Sequence, residues 1–217
     1  MILPGMLHLP LVQALLKEGV QVGAQNCSAT GEGAFTGEVS ADHLVDYRIG
    51  HVMIGHNERR RLFGENQEII NSKVKQAWDC NLNLIYCVGE TTEEREQEKT
   101  DDVLNEQLQV LKDLEIDWAN TIIVYEPLWA MGTSVIASAD QTQESAETIR
   151  DWVKQNVSEA ASQQVRIVYG GSVTETNAEN FIRLKGVDGF LVGTISTRPI
   201  FRTIFEMVNK QVEGEKW

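Results

Sequence analysis

Six short apolar segments alternate with longer amphipathic segments along the whole chain, and this alternation limits the folds open to it. The apolar segments are nearly continuous in hydrophobic residues, which is typical of strands buried on both faces of a parallel sheet. The segments between them repeat apolar residues every three or four positions, which indicates helices. The predicted strands cover residues 20–24, 51–55, 83–88, 121–126, 165–169 and 188–192, and the predicted helices cover 10–18, 40–47, 67–80, 94–114, 141–158, 176–185 and 199–211.

Two helix starts carry residues that favour N-capping. Ser40 precedes the second predicted helix, and Asp140 precedes the helix at 141–158. This second helix has a single apolar stripe, made of Ala146, Ile149, Trp152, Val153 and Val157.

Strands that are each followed by a helix predict βαβ units with right-handed crossovers. Two architectures share this pattern, an open doubly wound sheet and a (β/α)8 barrel. Polar residues follow strand ends throughout the chain, as at the catalytic face of a barrel, and no Gly-x-Gly-x-x-Gly motif follows an early strand. The barrel is therefore favoured, as a single domain over residues 1–217, although six strands do not close an eight-stranded barrel.

Composition excludes several classes of partner. Nineteen Lys and Arg residues stand against 32 Asp and Glu residues, and the resulting net charge of −13 argues against nucleic acid and against an anionic membrane surface. No apolar stretch reaches the ~20 residues that span a bilayer. The three cysteines form no Cys-x-x-Cys pair, so we expect reduced thiols in a cytoplasmic protein and no metal site. A small anionic substrate remains compatible with this charge.

His56 follows the predicted strand 51–55, at the position where a short helix should begin. A histidine at the carboxyl end of a barrel strand points into the mouth of the barrel, and the positive end of a helix dipole favours its neutral form. A lone histidine is more often structural than catalytic, and the neighbouring Arg59 and Arg60 can equally form a salt-bridged patch with Glu58 and Glu65.

Glu126 ends the predicted strand 121–126 and is followed by Pro-Leu-Trp-Ala-Met-Gly. Partial desolvation raises the pKa of a carboxyl group and makes it a competent general base. Pro127 fixes the start of the next loop, and Ala130 and Gly132 are small residues suited to a lid that excludes water. The alternative is a glutamate that only caps the next segment.

Two late loops are suited to an anion. Tyr-Gly-Gly-Ser at 169–172 and Leu-Val-Gly-Thr at 191–194 both follow predicted strands. Glycine lets backbone N–H groups approach a ligand, and late βα loops form the phosphate site of many barrels. A single Gly-Gly-Ser would indicate no more than a turn.

Together these motifs resemble the triosephosphate isomerase family over essentially the whole chain. The matching segments are Gln-Asn-Cys (25–27), Gly-Ala-Phe-Thr-Gly-Glu (33–38), Ile-Gly-His-Asn-Glu-Arg-Arg (54–60), Cys-Val-Gly-Glu (87–90), Tyr-Glu-Pro-Leu-Trp-Ala-Met-Gly-Thr (125–133), Tyr-Gly-Gly-Ser-Val (169–173) and Asp-Gly-Phe-Leu-Val-Gly-Thr (188–194). The resemblance implies interconversion of dihydroxyacetone phosphate and glyceraldehyde 3-phosphate through an enediolate, without cofactor or metal. It implies that Glu126 moves the proton, that His56 polarises the carbonyl group and that Glu58 supports it.

The resemblance also implies the remaining site residues and the assembly. The phosphate-binding residues would be Gly132, Gly171, Ser172, Gly193 and Thr194. The loop 25–38 would reach a second subunit through Gln25, Asn26, Phe35 and Thr36 in a homodimer.

Five departures from the family pattern change these expectations. The chain opens at Ile-Leu-Pro, which resembles the end of the family's second strand, so we expect a (β/α)8 barrel that lacks the first βα unit and most of the second strand. No Asn-x-Lys strand end supplies the family's catalytic lysine, and Lys17 belongs on an outer helix. Asn57 stands where serine is usual, Ser134 and Val135 replace Gly-Lys, and Thr194 replaces a glycine at a position that can require positive φ. We therefore expect reduced turnover, with a non-catalytic binder of a phosphorylated metabolite or of a partner subunit as the alternative.

Overall fold

The computed structural model describes residues 1–131 and 136–214, with side chains described to residue 210. The strands are β1 (His51–Ile54), β2 (Asn83–Val88), β3 (Ile122–Tyr125), β4 (Arg166–Tyr169) and β5 (Gly189–Phe190). The helices are α1 (Leu9–Leu15), α2 (Ala41–Asp46), α3 (Asn57–Leu62), α4 (Gln67–Asp79), α5 (Thr92–Glu96), α6 (Thr100–Asp113), α7 (Ala139–Asn156), α8 (Glu159–Gln164), α9 (Ala178–Ile182) and α10 (Phe201–Gly214). Single 3-10 turns cover Met6–His8 and Thr194–Thr197. This alternation confirms the predicted α/β class.

The chain divides into two compact units. The first consists of Met1–Cys87 and Gln107–Ile122, and the second of Val88–Glu106 and Ile123–Trp217.

In the first unit, β1 and β2 are parallel neighbours. Their register sets Val52 opposite Leu84 and Ile54 opposite Tyr86, and each of these four side chains is at most 1% exposed. Tyr86 donates its hydroxyl hydrogen to the backbone oxygen of Gln107 at 2.6 Å, so this apolar layer also satisfies its buried polar group.

In the second unit, the strand ends follow one another in chain order. The backbone N–H of Glu126 donates to the oxygen of Val88, at the end of β2, and the N–H of Gly170 donates to the oxygen of Tyr125, at the end of β3. β4 and β5 are parallel neighbours in the register Tyr169↔Phe190. The carboxyl ends of β2, β3 and β4 therefore meet at one edge in this unit.

The strand predicted at 20–24 is wrong as a regular strand. It consists of two isolated parallel bridges, Ile2↔Val22 and Ala24↔Val52. Gly23 separates them, and glycine inside a strand marks a close backbone approach. A Cβ at Gly23 would lie 2.6 Å from the side chain of Leu3. The run predicted at 188–192 is likewise reduced to the two residues of β5.

The helix starts agree with the sequence at one position and differ at another. Ser40 is the N-cap of α2 and forms a capping box with His43. Asp140 is not an N-cap, because α7 begins one residue earlier and Ser138 forms a capping box with Gln141. The predicted stripe of α7 is buried except for Val157, which lies beyond the helix and is 38% exposed.

The helix predicted at 94–114 is two helices. α5 begins with a capping box between Thr91 and Glu94, and α6 starts at Thr100. Glu98 lies between them with φ of 56°, a left-handed conformation that ends a helix. Within the described residues, none of the helices is long and apolar enough to cross a membrane.

Candidate active site

Glu126 lies directly after β3 in the second unit and is 1% exposed. Its backbone N–H is held by Val88, and the N–H of Leu128 donates to the backbone oxygen of Glu90 at 3.1 Å. The backbone on both sides of Glu126 is therefore held by residues 88–90, which follow from the end of β2.

Two glycines leave room for Glu126. A Cβ at Gly89 would lie 1.8 Å from the backbone oxygen of Glu126. A Cβ at Gly170 would lie 2.9 Å from its Cγ. Both distances are far below a van der Waals contact, so only glycine fits beside Glu126 at these two strand ends.

A second carboxylate, Glu90, is buried close by in the same unit. Its Oε1 accepts hydrogen bonds from Arg95 at 2.8 Å, from the Trp129 indole at 2.9 Å and from the Tyr125 hydroxyl at 3.1 Å. Glu90 is 0% exposed, and the Arg95 guanidinium supplies the opposite charge that a buried carboxylate needs. The same guanidinium lies 4.6 Å from the centroid of the Trp129 ring. Burial, and then the charge of Glu90, raise the pKa of Tyr125, which keeps its hydroxyl a donor.

The sequence did not predict this cluster, although it contained the signal. Glu90 lies two residues after the end of β2, in the Cys-Val-Gly-Glu segment, and Glu126 lies directly after β3. Trp129 belongs to the segment predicted as a lid. The structure shows that Glu90 fixes the beginning of that segment.

His56 lies in the first unit, directly before α3. It is the N-cap of that helix, and its Nδ1 accepts the backbone N–H of Glu58 at 3.3 Å. The Glu58 carboxylate lies 3.9 Å from the same Nδ1, and its side chain is 69% exposed. An acceptor Nδ1 places the ring proton on Nε2, so the ring can donate one hydrogen bond without carrying a charge.

The arginines after His56 do not act alike. Arg60 donates to the backbone oxygens of Gly55 at 2.8 Å and Cys87 at 3.0 Å, and so joins the ends of β1 and β2. Gly55 has φ of 81°, and a Cβ there would lie 2.9 Å from the Cys87 oxygen. Arg59 forms the predicted ion pair with Glu65 at 2.7 Å.

The predicted phosphate residues of the second unit follow β4 and β5. Ser172 is exposed, its backbone oxygen accepts the Asn177 amide at 2.8 Å, and Gly171 lies against the Tyr169 ring. Gly193 precedes the 3-10 turn that begins at Thr194. Thr194 does not adopt the positive φ that a glycine at this position would permit. The predicted lid residue Gly132, with Ser134 and Val135, lies outside the described residues.

The predicted interface residues lie in the loop of the first unit. The Gln25 amide donates to the Leu3 oxygen at 2.9 Å, and Asn26 accepts from the buried Lys73 at 2.9 Å. Phe35 is 47% exposed, and Thr36 is also exposed.

Potential metal ligands were compared over the described part of the chain. Over residues 1–131 and 136–214, no group of three or more His, Cys, Asp or Glu side chains could hold a metal ion. Burial raises the pKa of Cys27 to about 12, which keeps this thiol protonated.

Parallel strands are followed by helices, a buried carboxylate lies directly after β3, and glycines lie directly after β2 and β4. This arrangement defines an α/β protein of the (β/α)-barrel enzyme class. A family model described as "Triosephosphate isomerase" matches residues 1–208. The chain belongs to the triosephosphate isomerase family.

Three relatives give the extent of the similarity. The chain is 45% identical over 198 residues to the cytosolic triosephosphate isomerase of Oryza sativa subsp. japonica. These aligned residues cover 91% of this chain and 78% of the relative. It is 43% identical over 209 residues to the chloroplastic triosephosphate isomerase of Secale cereale, covering 96% and 70%. It is 43% identical over 200 residues to the triosephosphate isomerase of Taenia solium, covering 91% and 80%.

Proposed function

We propose that this protein interconverts dihydroxyacetone phosphate and glyceraldehyde 3-phosphate by proton transfer through an enediolate. The observation that carries the proposal is the identity of 43–45% to relatives named triosephosphate isomerase over at least 91% of this chain. A buried carboxylate directly after β3 supports it, because proton abstraction next to a carbonyl needs a positioned base.

Glu126 is the proposed base that moves the proton between the two carbons. Its burial removes competing water, and its backbone contacts to residues 88–90 hold it in place. A base held in one position loses little orientational freedom when the substrate binds.

His56 is the proposed electrophile. With Nδ1 occupied by the Glu58 backbone N–H, the Nε2–H group is the donor that can polarise a substrate carbonyl and stabilise charge on the enediolate oxygen. Glu58 supports this arrangement through that same backbone N–H at the start of α3.

The phosphate is proposed to bind at the loops after β4 and β5. Gly171, Ser172, Gly193 and Thr194, with Gly132 from the segment after β3, are the residues we assign to it. Backbone N–H groups and a serine hydroxyl are suited to phosphate oxygens.

A homodimer is the proposed assembly, with Gln25, Asn26, Phe35 and Thr36 in the subunit interface. The exposed aromatic ring of Phe35 supports this, because a half-exposed ring at a loop tip gains stability when it is covered. The cytoplasm is the proposed compartment, by analogy with the cytosolic relative.

The test is the turnover of both triose phosphates by the purified chain, with the His56→Gln variant beside it. We expect measurable isomerisation in both directions and a loss of kcat of orders of magnitude in the variant, because charge develops at the group that His56 contacts. Binding of a triose phosphate without turnover would contradict the proposal and favour a non-catalytic binding protein.

A further inference from the structure

We infer that Gln67 is a positioning residue for His56, and that it acts through Arg60, whose guanidinium group holds the peptide plane between Gly55 and His56. This inference rests on the proposed function, in which His56 is the electrophile. Gln67 is the first residue of α4 and is not one of the residues that we assign to the substrate.

The peptide between Gly55 and His56 determines where the histidine begins. A peptide unit is planar, so the backbone oxygen of Gly55 and the Cα atom of His56 lie in one plane. Gly55 has φ of 81°, in a region that glycine enters without steric cost, so its own torsion angles restrain this plane little. A contact that fixes the Gly55 oxygen therefore also fixes the direction in which the chain enters His56.

Arg60 makes that contact. Its Nε group donates to the Gly55 oxygen at 2.8 Å, and its Nη2 group donates to the Cys87 oxygen at 3.0 Å. A Cβ at Gly55 would lie 3.0 Å from Nη2, so the guanidinium packs directly against the bare glycine backbone. Because a guanidinium is planar and rigid, an acceptor that holds its remaining nitrogen also sets the direction of the other two donors.

Gln67 supplies the acceptor for that remaining nitrogen. The Nη1 group of Arg60 donates to Oε1 of Gln67 at 3.0 Å. The backbone of Gln67 is held at the start of α4, where the N-cap Asn66 accepts the backbone N–H of Ile69 through its side chain. The amide oxygen is thus presented to Arg60 from a fixed point.

The contacts allow one orientation of the Gln67 amide. Arg60 carries only donors, so it must face Oε1. The Nε2 group then donates to the Tyr86 hydroxyl at 3.0 Å and to Oδ1 of Asn71 at 2.7 Å. A half-turn of the amide would place its NH2 group against the guanidinium and its oxygen against two acceptors, so the network selects this orientation.

Tyr86 anchors this network to β2. Its side chain is 0% exposed, and its hydroxyl donates to the backbone oxygen of Gln107 at 2.6 Å, so the hydroxyl oxygen can accept from Gln67. Burial raises the pKa of Tyr86 and outweighs the opposing charge of Arg60, so the hydroxyl stays protonated at neutral pH. The contacts therefore run from a buried residue of β2, through Gln67 and Arg60, to the peptide that precedes His56.

The test measures the residual dipolar coupling of the His56 backbone N–H in 15N-labelled protein without substrate, together with kcat and KM. This N–H lies in the peptide plane that Arg60 holds, so its coupling follows the orientation of that plane. Gln67→Met keeps an unbranched side chain of similar length but removes the acceptor. We expect a changed coupling and a kcat lowered about tenfold to a hundredfold, because a catalytic group is misplaced, with KM changed less than about twofold.

Two further variants separate positioning from a loss of packing. Gln67→Glu keeps an acceptor for Arg60, so the His56 coupling should stay at its wild-type value. Gln109→Met makes the same change as Gln67→Met at an exposed position of α6, where Gln109 donates to Asp113 at 2.6 Å. It should alter neither the coupling nor kcat.

An unchanged His56 coupling in Gln67→Met would overturn the inference, as would an unchanged kcat in that variant when the wild type is active. A coupling in Gln67→Glu as altered as in Gln67→Met would also overturn it. If Gln67→Met does not fold, Tyr86→Phe removes the hydroxyl that holds the Nε2 group, and a wild-type coupling there would contradict the inference. Absence of turnover in the wild type would count against the proposed function alone, because the coupling is measured without substrate.

Discussion

Trp129 lies three residues after Glu126, the proposed base, and its indole N–H donates to Oε1 of the buried Glu90 at 2.9 Å. Glu90 is 0% exposed, so this contact is made away from water. The backbone oxygen of Glu90 also accepts the N–H of Leu128. The segment that follows Glu126 is therefore anchored by both the side chain and the backbone of one residue.

Loss of this anchor should lower stability measurably. Trp129→Phe removes one donor from a buried carboxylate, and we expect a decrease in the free energy of unfolding of about 1–3 kcal/mol in urea titrations. Trp78→Phe is the matched control, because the Trp78 indole has no hydrogen-bond partner in the described part of the chain and should cost less. Equal losses in both variants would mean that the Glu90 contact contributes nothing beyond ring packing.

The assignment of Glu126 as the base can be tested by an isosteric change. Glu126→Gln keeps the shape of the side chain but removes its basicity, so kcat should fall by about a hundredfold to ten-thousandfold. Glu106→Gln, at an exposed position of α6, makes the same chemical change and should leave kcat unaltered. Wild-type kcat in Glu126→Gln would show that another group takes the proton.

Two lysines of α4 allow a buried ion pair to be compared with an exposed one. Lys73 lies 2.5 Å from Glu65, with both side chains at most 6% exposed, whereas Lys75 pairs with Asp79 at an exposed site. Lys73→Met leaves the buried Glu65 with Arg59 alone and should destabilise the fold by about 3 kcal/mol or more. Lys75→Met should change it by less than about 1 kcal/mol. The double variant Lys73→Met, Glu65→Gln should recover part of the loss, and a failure to recover would mean that Lys73 acts through Asn26.

Alkaline stability should depend on Tyr169. Burial raises the pKa of its hydroxyl from 10.0 to about 12, and that hydroxyl has no hydrogen-bond partner in the described part of the chain. The folded state therefore binds its proton more tightly than the unfolded state, so the contribution to stability is complete below about pH 10 and is lost as the pH rises to about 12. Tyr169→Phe should be nearly neutral at pH 7 and should reduce the fall in unfolding free energy over that interval by about 2–3 kcal/mol at most. If the unfolding free energies of the wild type and of the variant changed in parallel with pH, the raised pKa of Tyr169 would be refuted.

Phe35 provides a test of the proposed homodimer. Phe35→Asp places a charge on the loop tip and should give a monomer in sedimentation experiments at micromolar concentration, because an unpaired charge in an interface is costly. Phe205→Asp, at a ring 56% exposed on α10, is the control and should keep the wild-type mass. A wild-type monomer at every concentration would remove the interface and leave residues 25–38 as a surface loop.

The sequence predicted the elements that depend on local pattern. The apolar runs that became β1 to β4 are each at least four residues long. Glu126 follows β3 directly, and His56 lies two residues after the end of β1, close to the expected position. Two helix details were missed for local reasons. Ser138 is a better hydrogen-bond acceptor for the first turn of α7 because Gln141 completes a capping box with it. The break between α5 and α6 depends on the left-handed conformation of Glu98, and no glycine or proline in the sequence indicated it.

The surroundings of the candidate site were not predictable in the same way. Whether Glu90 meets Tyr125 and Trp129 depends on the register between strand ends, which a single sequence does not encode locally. Likewise, the sequence shows that Gly170 is small but not that Glu126 lies against it. These contacts are long-range in the chain, and only the fold brings them together.

The two glycines beside Glu126 limit how this chain can vary. In a saturation library, Gly89 and Gly170 should tolerate almost no replacement, even under a selection that reads only soluble expression. Loss of soluble expression on replacing Gly89 or Gly170 would thus indicate a steric clash rather than a loss of catalysis. Glu126 itself should accept neutral isosteres in that screen. Comparing an abundance screen with an activity screen would separate the residues that make room for Glu126 from the proposed base itself.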